Sequence, residues 1–311
     1  MSANIDAITS GSEPTSGNPD ISWPTERASH IPSEWHPSSL RPGRRTSDIS
    51  STSSDSATRD TDPSNFPEGS KSLAGISLRA FCLGTSLGVA STVTICLSIL
   101  SPTPFWRVPF FIAALSLFHF LEFYITAAYN TPSADVKAFL LSSNGWAYNV
   151  AHGAAMVECL ASSYFWPGGS VLGHWLSISV PIFGNQVSLS LLLILGFFLT
   201  VLGQTVRSFA MAQAASNFNH HVQSEHRQGH VLVTHGLYRH LRHPSYFGFF
   251  WWGLGTQLVL GNVVCFFGYF FVLWKFFDTR IKREEAFLVR FFGADYVQYR
   301  QATPVGIPGI R

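Results

Sequence analysis

Between residues 72 and 211 the chain carries only seven charged side chains, while apolar stretches of bilayer-spanning length follow one another. Runs of that length and polarity read as transmembrane helices. Candidate spans lie at 74–100, 105–128, 145–166 and 187–211. They are separated by Pro102-Thr103-Pro104, by the polar loop from Asn130 to Asn144, and by Pro167-Gly168-Gly169, whose semi-apolar continuation through Asn185 suits the membrane surface. Two shorter apolar stretches, 245–260 and 263–277, meet at Gly261-Asn262 and read as a tight helical hairpin. The sequence therefore predicts an all-α polytopic membrane protein with about six transmembrane helices, the last two forming a C-terminal hairpin. A chain that is 46% hydrophobic and 12% charged agrees with this and excludes an ordinary cytosolic enzyme.

Residues 1–72 differ in texture. They are rich in Ser, Thr, Pro, Asp and Gly and hold too little apolar surface to offset ordering entropy, so they predict a disordered tail. The organisation is thus a tail over 1–72, four spans over 73–211, and a segment over 212–311 combining a polar loop, the hairpin and a charged C-terminal stretch. Residues 1–71 hold six basic and ten acidic side chains, against fourteen and eight in the remainder. An even number of crossings puts both termini on one side. Arg41, Arg44, Arg45, Lys71, Lys137, Arg227, Arg239, Arg242 and the cluster at 275–300 fall there, against Arg107 opposite, so that side is cytosolic. The basic excess is too small and too dispersed for a nucleic-acid footprint. Cys82, Cys96, Cys159 and Cys265 are far apart and form neither a metal motif nor a disulfide framework.

Ionisable groups within spans point to chemistry by default. Glu122 follows His119 by three residues, Glu158 sits in the third span, and Arg207 lies near the cytosolic end of the fourth. Each could equally be a polar contact between helices or, for Arg207, a side chain reaching toward headgroups. The segment from Ala212 to His243 holds seven histidines but no metal-ligand spacing. The most informative stretch runs from His230 to Gly248, directly into the hairpin. Pro244 suits the first turn of a helix, whose free amides hold an anion beside Arg242 and His243, and Gly236 and Gly248 allow close backbone approach. Beyond the hairpin, Arg280 and Glu284 stand four apart, an i, i+4 pair that is either a simple salt bridge or a cation and carboxylate facing a ligand.

At these residues the chain resembles the isoprenylcysteine carboxyl methyltransferases, from about Leu78 to Ile307. The likeness includes Ser116-Leu117-Phe118-His119 with Glu122, Ser216-Asn217-Phe218-Asn219-His220, the Leu232 to Gly248 block, Gly255-Thr256-Gln257, Arg280 with Glu284, and Phe291-Phe292-Gly293 with Tyr296 and Tyr299. The resemblance implies a multi-pass endoplasmic-reticulum enzyme that uses S-adenosylmethionine to methyl-esterify the C-terminal prenylcysteine, farnesyl or geranylgeranyl, of processed CaaX proteins. It implies cofactor contacts at Gln223, His230, Val231, Leu232, Val233, Tyr238, His243, Pro244, Ser245, Tyr246 and Glu284. It implies catalytic roles for Arg207 and Arg280, with Arg280 also on the substrate carboxylate. On this reading residues 212–311 form a cofactor-binding loop, hairpin and cytosolic catalytic segment. The R-H-P-S-Y-x-G block is shared with broader relatives, so a membrane phospholipid (amine) methyltransferase and a sterol-reductase-like enzyme stand as alternatives.

Overall fold

The computed structural model describes residues 62–311 apart from 101–102, 142, 167–176, 183–184 and 227–228. The expected tail lies outside the described residues up to position 61. Its last part, Asp62–Lys71, is folded: the Asp62 carboxylate accepts from the Ser64 amide at 2.9 Å, and Lys71 N donates to Ser64 O at 2.9 Å. Ser72 then caps the first helix through its hydroxyl, which accepts from Gly75 N at 3.1 Å.

Among the described residues seven α-helices follow: α1 (Leu73–Ile95), α2 (Arg107–Tyr129), α3 (Trp146–Phe165), α4 (Leu191–Ala214), α5 (Pro244–Leu260), α6 (Val264–Phe292) and α7 (Ala294–Ala302). A π-helical turn, Cys96–Leu100, prolongs α1. Three helical runs, Leu73–Leu100, Pro104–Tyr129 and Leu191–Asn217, are each long and apolar enough to cross a membrane. Helices α3, α5 and α6 begin within a residue of the third, fifth and sixth expected spans. α6 runs far past the expected end at 277, because the charged stretch from Asp278 to Arg290 continues the helix beyond its apolar part. A feature the sequence reading did not anticipate lies in the connection before α4. There β1 (Ser177–Ile182) and β2 (Asn185–Ser190) pair antiparallel, Ser177 opposite Ser190 and Ile182 opposite Asn185.

The tightest packing joins α4 to α5, which run antiparallel. Gly196 and Gly203 on α4 meet Gly255 and Gly248 on α5, a seven-residue spacing matched on both helices. A Cβ at Gly203 would lie 2.5 Å from Gly248 O, and one at Gly248 would lie 2.7 Å from Arg207 N. Small residues at this seam let two backbones touch, the contact that substitutes for hydrophobic attraction between helices in lipid. On the other side α5 packs into a core with Phe111, Cys159, Phe277 and Ile281, closed by Val305, Ile307 and Ile310 of the returning C-terminal segment. Trp274 Nε1 fastens that segment by donating to Pro308 O at 2.8 Å. The outer face of α1 leaves Leu78, Phe81, Val89 and Ile95 exposed, as a lipid-facing helix does.

Candidate active site

The glycine seam sets Arg207 of α4 against the first turn of α5. Both N–H edges of the guanidinium are then used. Nε and Nη2 donate to the two carboxylate oxygens of Glu122 on α2, the latter at 2.7 Å, and Nη1 donates to Ser245 Oγ at 3.0 Å. His220 completes the cluster by donating from Nε2 to Glu122 Oε2 at 2.9 Å. Glu122 is 1% exposed and Arg207 6%, so both charges are removed from solvent and neutralise each other. The rings of Phe118 and Phe249 lie 5.3 and 5.2 Å from the guanidinium carbon.

His220 also reaches the second arginine, since its carbonyl accepts from Arg280 Nη2. Arg280 Nε donates to the Tyr246 hydroxyl at 2.8 Å, and that hydroxyl donates in turn to Glu284 Oε2. Arg280 and Glu284 therefore meet through Tyr246 rather than as a simple i, i+4 ion pair. The Tyr246 ring is stacked between His243 (centroids 5.5 Å apart) and Phe277 (5.1 Å), which fixes the hydroxyl between the two charges.

Beside this chain of contacts opens a cleft walled by both polar and apolar side chains. The segment His230–Val233, Tyr238, His243, Ser245, Tyr246 and Glu284 line it, so all of these expected cofactor contacts are brought together. Pro244 is buried as the first residue of α5, which has no side-chain cap. Gln223 lies in an adjoining hollow that shares Asn217, Asn219, His230, Glu284 and Leu288 with the cleft. Arg207 and Arg280 lie outside the lining, each hydrogen-bonded to one residue of it, Ser245 and Tyr246 respectively. Asn217 shapes the wall by accepting from Val231 N at 2.9 Å, and Gln213 holds the turn at Gly236 by accepting from Leu237 N at 2.8 Å. Gly236 has φ +59°, and a Cβ there would strike Gln213 Oε1 at 2.5 Å.

Two expectations change. The basic turn at Arg242 and His243 was to offer its charge to an anion, but α6 supplies Glu285 to it first. Arg242 Nε donates to Glu285 Oε1 at 2.6 Å, Arg242 Nη1 donates to Thr303 O at 2.7 Å, and His243 Nε2 donates to Glu285 Oε1 at 3.1 Å. Burial acts to raise the Glu285 pKa, but the hydrogen bonds from His243 and Arg242 outweigh it and hold the carboxyl below its usual range. Arg207, for which the resemblance implies a catalytic role, likewise has a buried partner, Glu122. Several walls of the cleft were missed as contacts: Phe218, Leu288, Phe292, Tyr296 and Tyr299. Their presence in the quoted motifs was the available signal for Phe218, Phe292 and the two tyrosines. Burial, then the Glu284 carboxylate, pushes the Tyr238 phenol up, and burial against an opposing Arg242 pushes Tyr299 up to about 12, so both keep their protons at neutral pH.

The remaining in-span groups have structural partners. Glu158 accepts from the amides of Val263, Val264 and Cys265 at 2.7 to 2.8 Å, capping α6. His119 faces the Phe139 carbonyl through Nδ1 at 2.8 Å, so Nδ1 carries the proton and Nε2 accepts from the Tyr148 hydroxyl at 3.2 Å.

The profile of the isoprenylcysteine carboxyl methyltransferase family matches residues 193–290, the stretch that holds Arg207, the expected cofactor contacts and Arg280. A Saccharomyces cerevisiae protein named protein-S-isoprenylcysteine O-methyltransferase is 41% identical over 235 residues, 76% of this chain and 91% of its own. A Homo sapiens protein of the same name is 35% identical over 236 residues, 76% of this chain and 75% of its own. A solved structure described as the eukaryotic intramembrane Ras methyltransferase superposes with a TM-score of 0.65 at 33% identity, covering 76% of this chain and 77% of that one. Identity of this order over three quarters of the sequence, together with the shared helical architecture, means that the chain belongs to the isoprenylcysteine carboxyl methyltransferase family.

Proposed function

We propose that this chain methyl-esterifies the α-carboxylate of a C-terminal S-prenylcysteine, using S-adenosylmethionine, in the endoplasmic-reticulum membrane with both termini in the cytosol. The observation that carries the reading is the cleft itself: the expected nucleoside contacts converge on it from the 230–233 segment, the start of α5 and α6, directly beside Arg280. The residues fit the cofactor. Glu284 offers carboxylate oxygen to hydroxyls or an ammonium, Tyr238 and Tyr246 offer aromatic faces to a sulfonium or a base, and the uncapped first turn of α5 offers amide donors to a carboxylate. When bound, S-adenosylmethionine supplies an electrophilic methyl on a sulfonium whose sulfur retains the bonding electrons as the methyl departs.

The substrate carboxylate is ionised at neutral pH, so no general base is required. What the protein contributes is orientation and exclusion of water. Among the described residues Arg280 uses only Nε and one Nη2 hydrogen internally, which leaves Nη1 to position a carboxylate without proton transfer. Arg207 acts differently from a clamp. Its charge is met by Glu122, and through Ser245 it fixes the first turn of α5, where the cleft residues stand. The prenyl chain enters from the bilayer against the Phe-rich helices, and burying it contributes roughly 0.8 kcal/mol per methylene.

The test is transfer of labelled methyl from S-adenosylmethionine to N-acetyl-S-farnesylcysteine and its geranylgeranyl analogue, in membranes containing this chain. Base-labile ester should form, and Arg280→Ala, inserted to the same level, should lower turnover by about a hundredfold, the worth of a charged hydrogen-bond pair. Failure of the wild-type protein to methylate either analogue would sink the reading.

A further inference from the structure

Tyr296 on α7 is 1% exposed and forms part of the cleft wall. Its hydroxyl has no hydrogen-bond partner among the described residues. Tyr299, one turn on and 6.0 Å away between ring centroids, differs, since it donates to Tyr238 O at 2.6 Å. The charged groups near Tyr296 have other partners: Glu285 is bonded by Arg242 and His243, and Glu284 by Tyr246. Buried hydroxyls are almost always satisfied in folded proteins, and one without a partner, on a residue that lines a cleft, is a place for a ligand atom that the side chain turns to meet. Burial, and next the Glu285 carboxylate, push the phenol's ionisation up, so the oxygen keeps its proton and can donate. The Glu285 and Glu284 carboxylates act on it against the Arg242 guanidinium, so an anionic acceptor finds no unopposed cation there and a neutral one is suited.

We infer that Tyr296 is a further cofactor-binding residue, whose hydroxyl donates to a neutral acceptor, a ribose oxygen or adenine nitrogen, of the bound nucleoside. The inference rests on the reading of the cleft as the S-adenosylmethionine site. It has a signature that a purely structural tyrosine lacks. Removing the hydroxyl deletes an unsatisfied group from the ligand-free protein and a hydrogen bond from the complex, so stability and affinity move in opposite directions.

The experiment uses the purified full chain in detergent, as wild type and Tyr296→Phe, with calorimetric titration of S-adenosylhomocysteine and 5′-methylthioadenosine and thermal melting without ligand. The variant should bind both nucleosides about five- to tenfold more weakly, the worth of one neutral hydrogen bond. Without ligand it should melt no lower than wild type, and higher by about 2 °C if the open hydroxyl carries its usual cost. Tyr299→Phe, which loses an internal bond, should melt lower. Unchanged affinity for both nucleosides, a weakening confined to S-adenosylhomocysteine, or a clear drop in the ligand-free melting temperature of Tyr296→Phe would each overturn the inference. Wild-type protein that binds neither nucleoside would instead overturn the cofactor reading, and the assignment of Tyr296 with it.

Discussion

The two ends of α5 meet the same difficulty, polar groups among apolar helices, and resolve it in opposite ways. At the Gly261-Asn262 turn polar side chains order the hairpin: Glu158 caps three amides of α6, and Asn262 Nδ2 donates to Ala155 O and Gln257 Oε1 at 2.9 Å each, its own Oδ1 having no partner among the described residues. At the His243–Tyr246 end, side chains pair with side chains from α2, α4 and α6, and the pairs leave Arg280, Tyr246 and Glu284 with unused hydrogen-bonding capacity beside the cleft. An ionisable group in a membrane span is therefore not by itself a sign of chemistry. What distinguishes the two ends is whether the partner is a helix terminus or another side chain at the edge of a cavity.

The strongest way to break this contrast is Glu122→Ala. It strands the Arg207 charge in a site that is 6% exposed, and should destabilise the protein by about 3–5 kcal/mol in detergent unfolding. Arg207→Ala should cost about as much. A Glu122→Leu and Arg207→Leu double variant should lose much less than the sum of the single changes, because neither charge is then left alone. Additive losses would mean that the two side chains do not act as a pair, and the account of Arg207 as a positioning residue would go with them.

Much of this architecture was legible because hydrophobic length is a local property. The first residues of α3, α5 and α6 follow directly from where apolar stretches begin after Gly145, His243 and Val263. The end of α6 was not legible, since hydropathy reports where a helix leaves the apolar region, not where it stops, and Gly293 at φ +55° provides the stop. The strand pair before α4 did carry a signal in the alternation Ser177-Ile178-Ser179-Val180 and Val187-Ser188-Leu189-Ser190, overshadowed by the apolar run beside it. In the site, motifs located the residues but not their partners. Glu122 and Arg207 are 85 positions apart and Arg242 and Glu285 are 43 apart, and no periodicity links residues across such distances. The partners of Arg207 and Arg242 were therefore not legible in the sequence, whereas the membership of the cleft largely was.

An intermediate effect should come from the Arg242–His243–Glu285 cluster through pH. The folded Glu285 carboxyl titrates below its ordinary value of 4.5, so its pairing contributes stability that is complete above that value and is lost as pH falls through the lower, folded pKa. Wild-type melting temperature should accordingly drop as pH is taken below about 4.5, more steeply than that of Glu285→Gln. The two proteins should differ at neutral pH by about 1.5–3 kcal/mol and converge in acid. Parallel curves from pH 7 to pH 3 would remove Glu285 as the anchor between α5 and α6.

The smallest effect belongs to the turn, where the contrast with the site is sharpest. Glu158→Gln keeps one acceptor oxygen for the three amides but removes the charge that faces the positive N-terminus of α6. A capping loss of this kind is worth about 1 kcal/mol, a shift of roughly 2–4 °C in melting temperature. Methyl transfer measured well below that temperature should retain the wild-type kcat and KM, because nothing at Glu158 touches the cleft or the two arginines. A fall in kcat with an unchanged melting temperature would place chemistry at both ends of α5 and erase the distinction between them. A fall in melting temperature with unchanged kinetics would show that the most conspicuous carboxylate of the third span is there to hold a hairpin, and so to hold the other end of α5 in place.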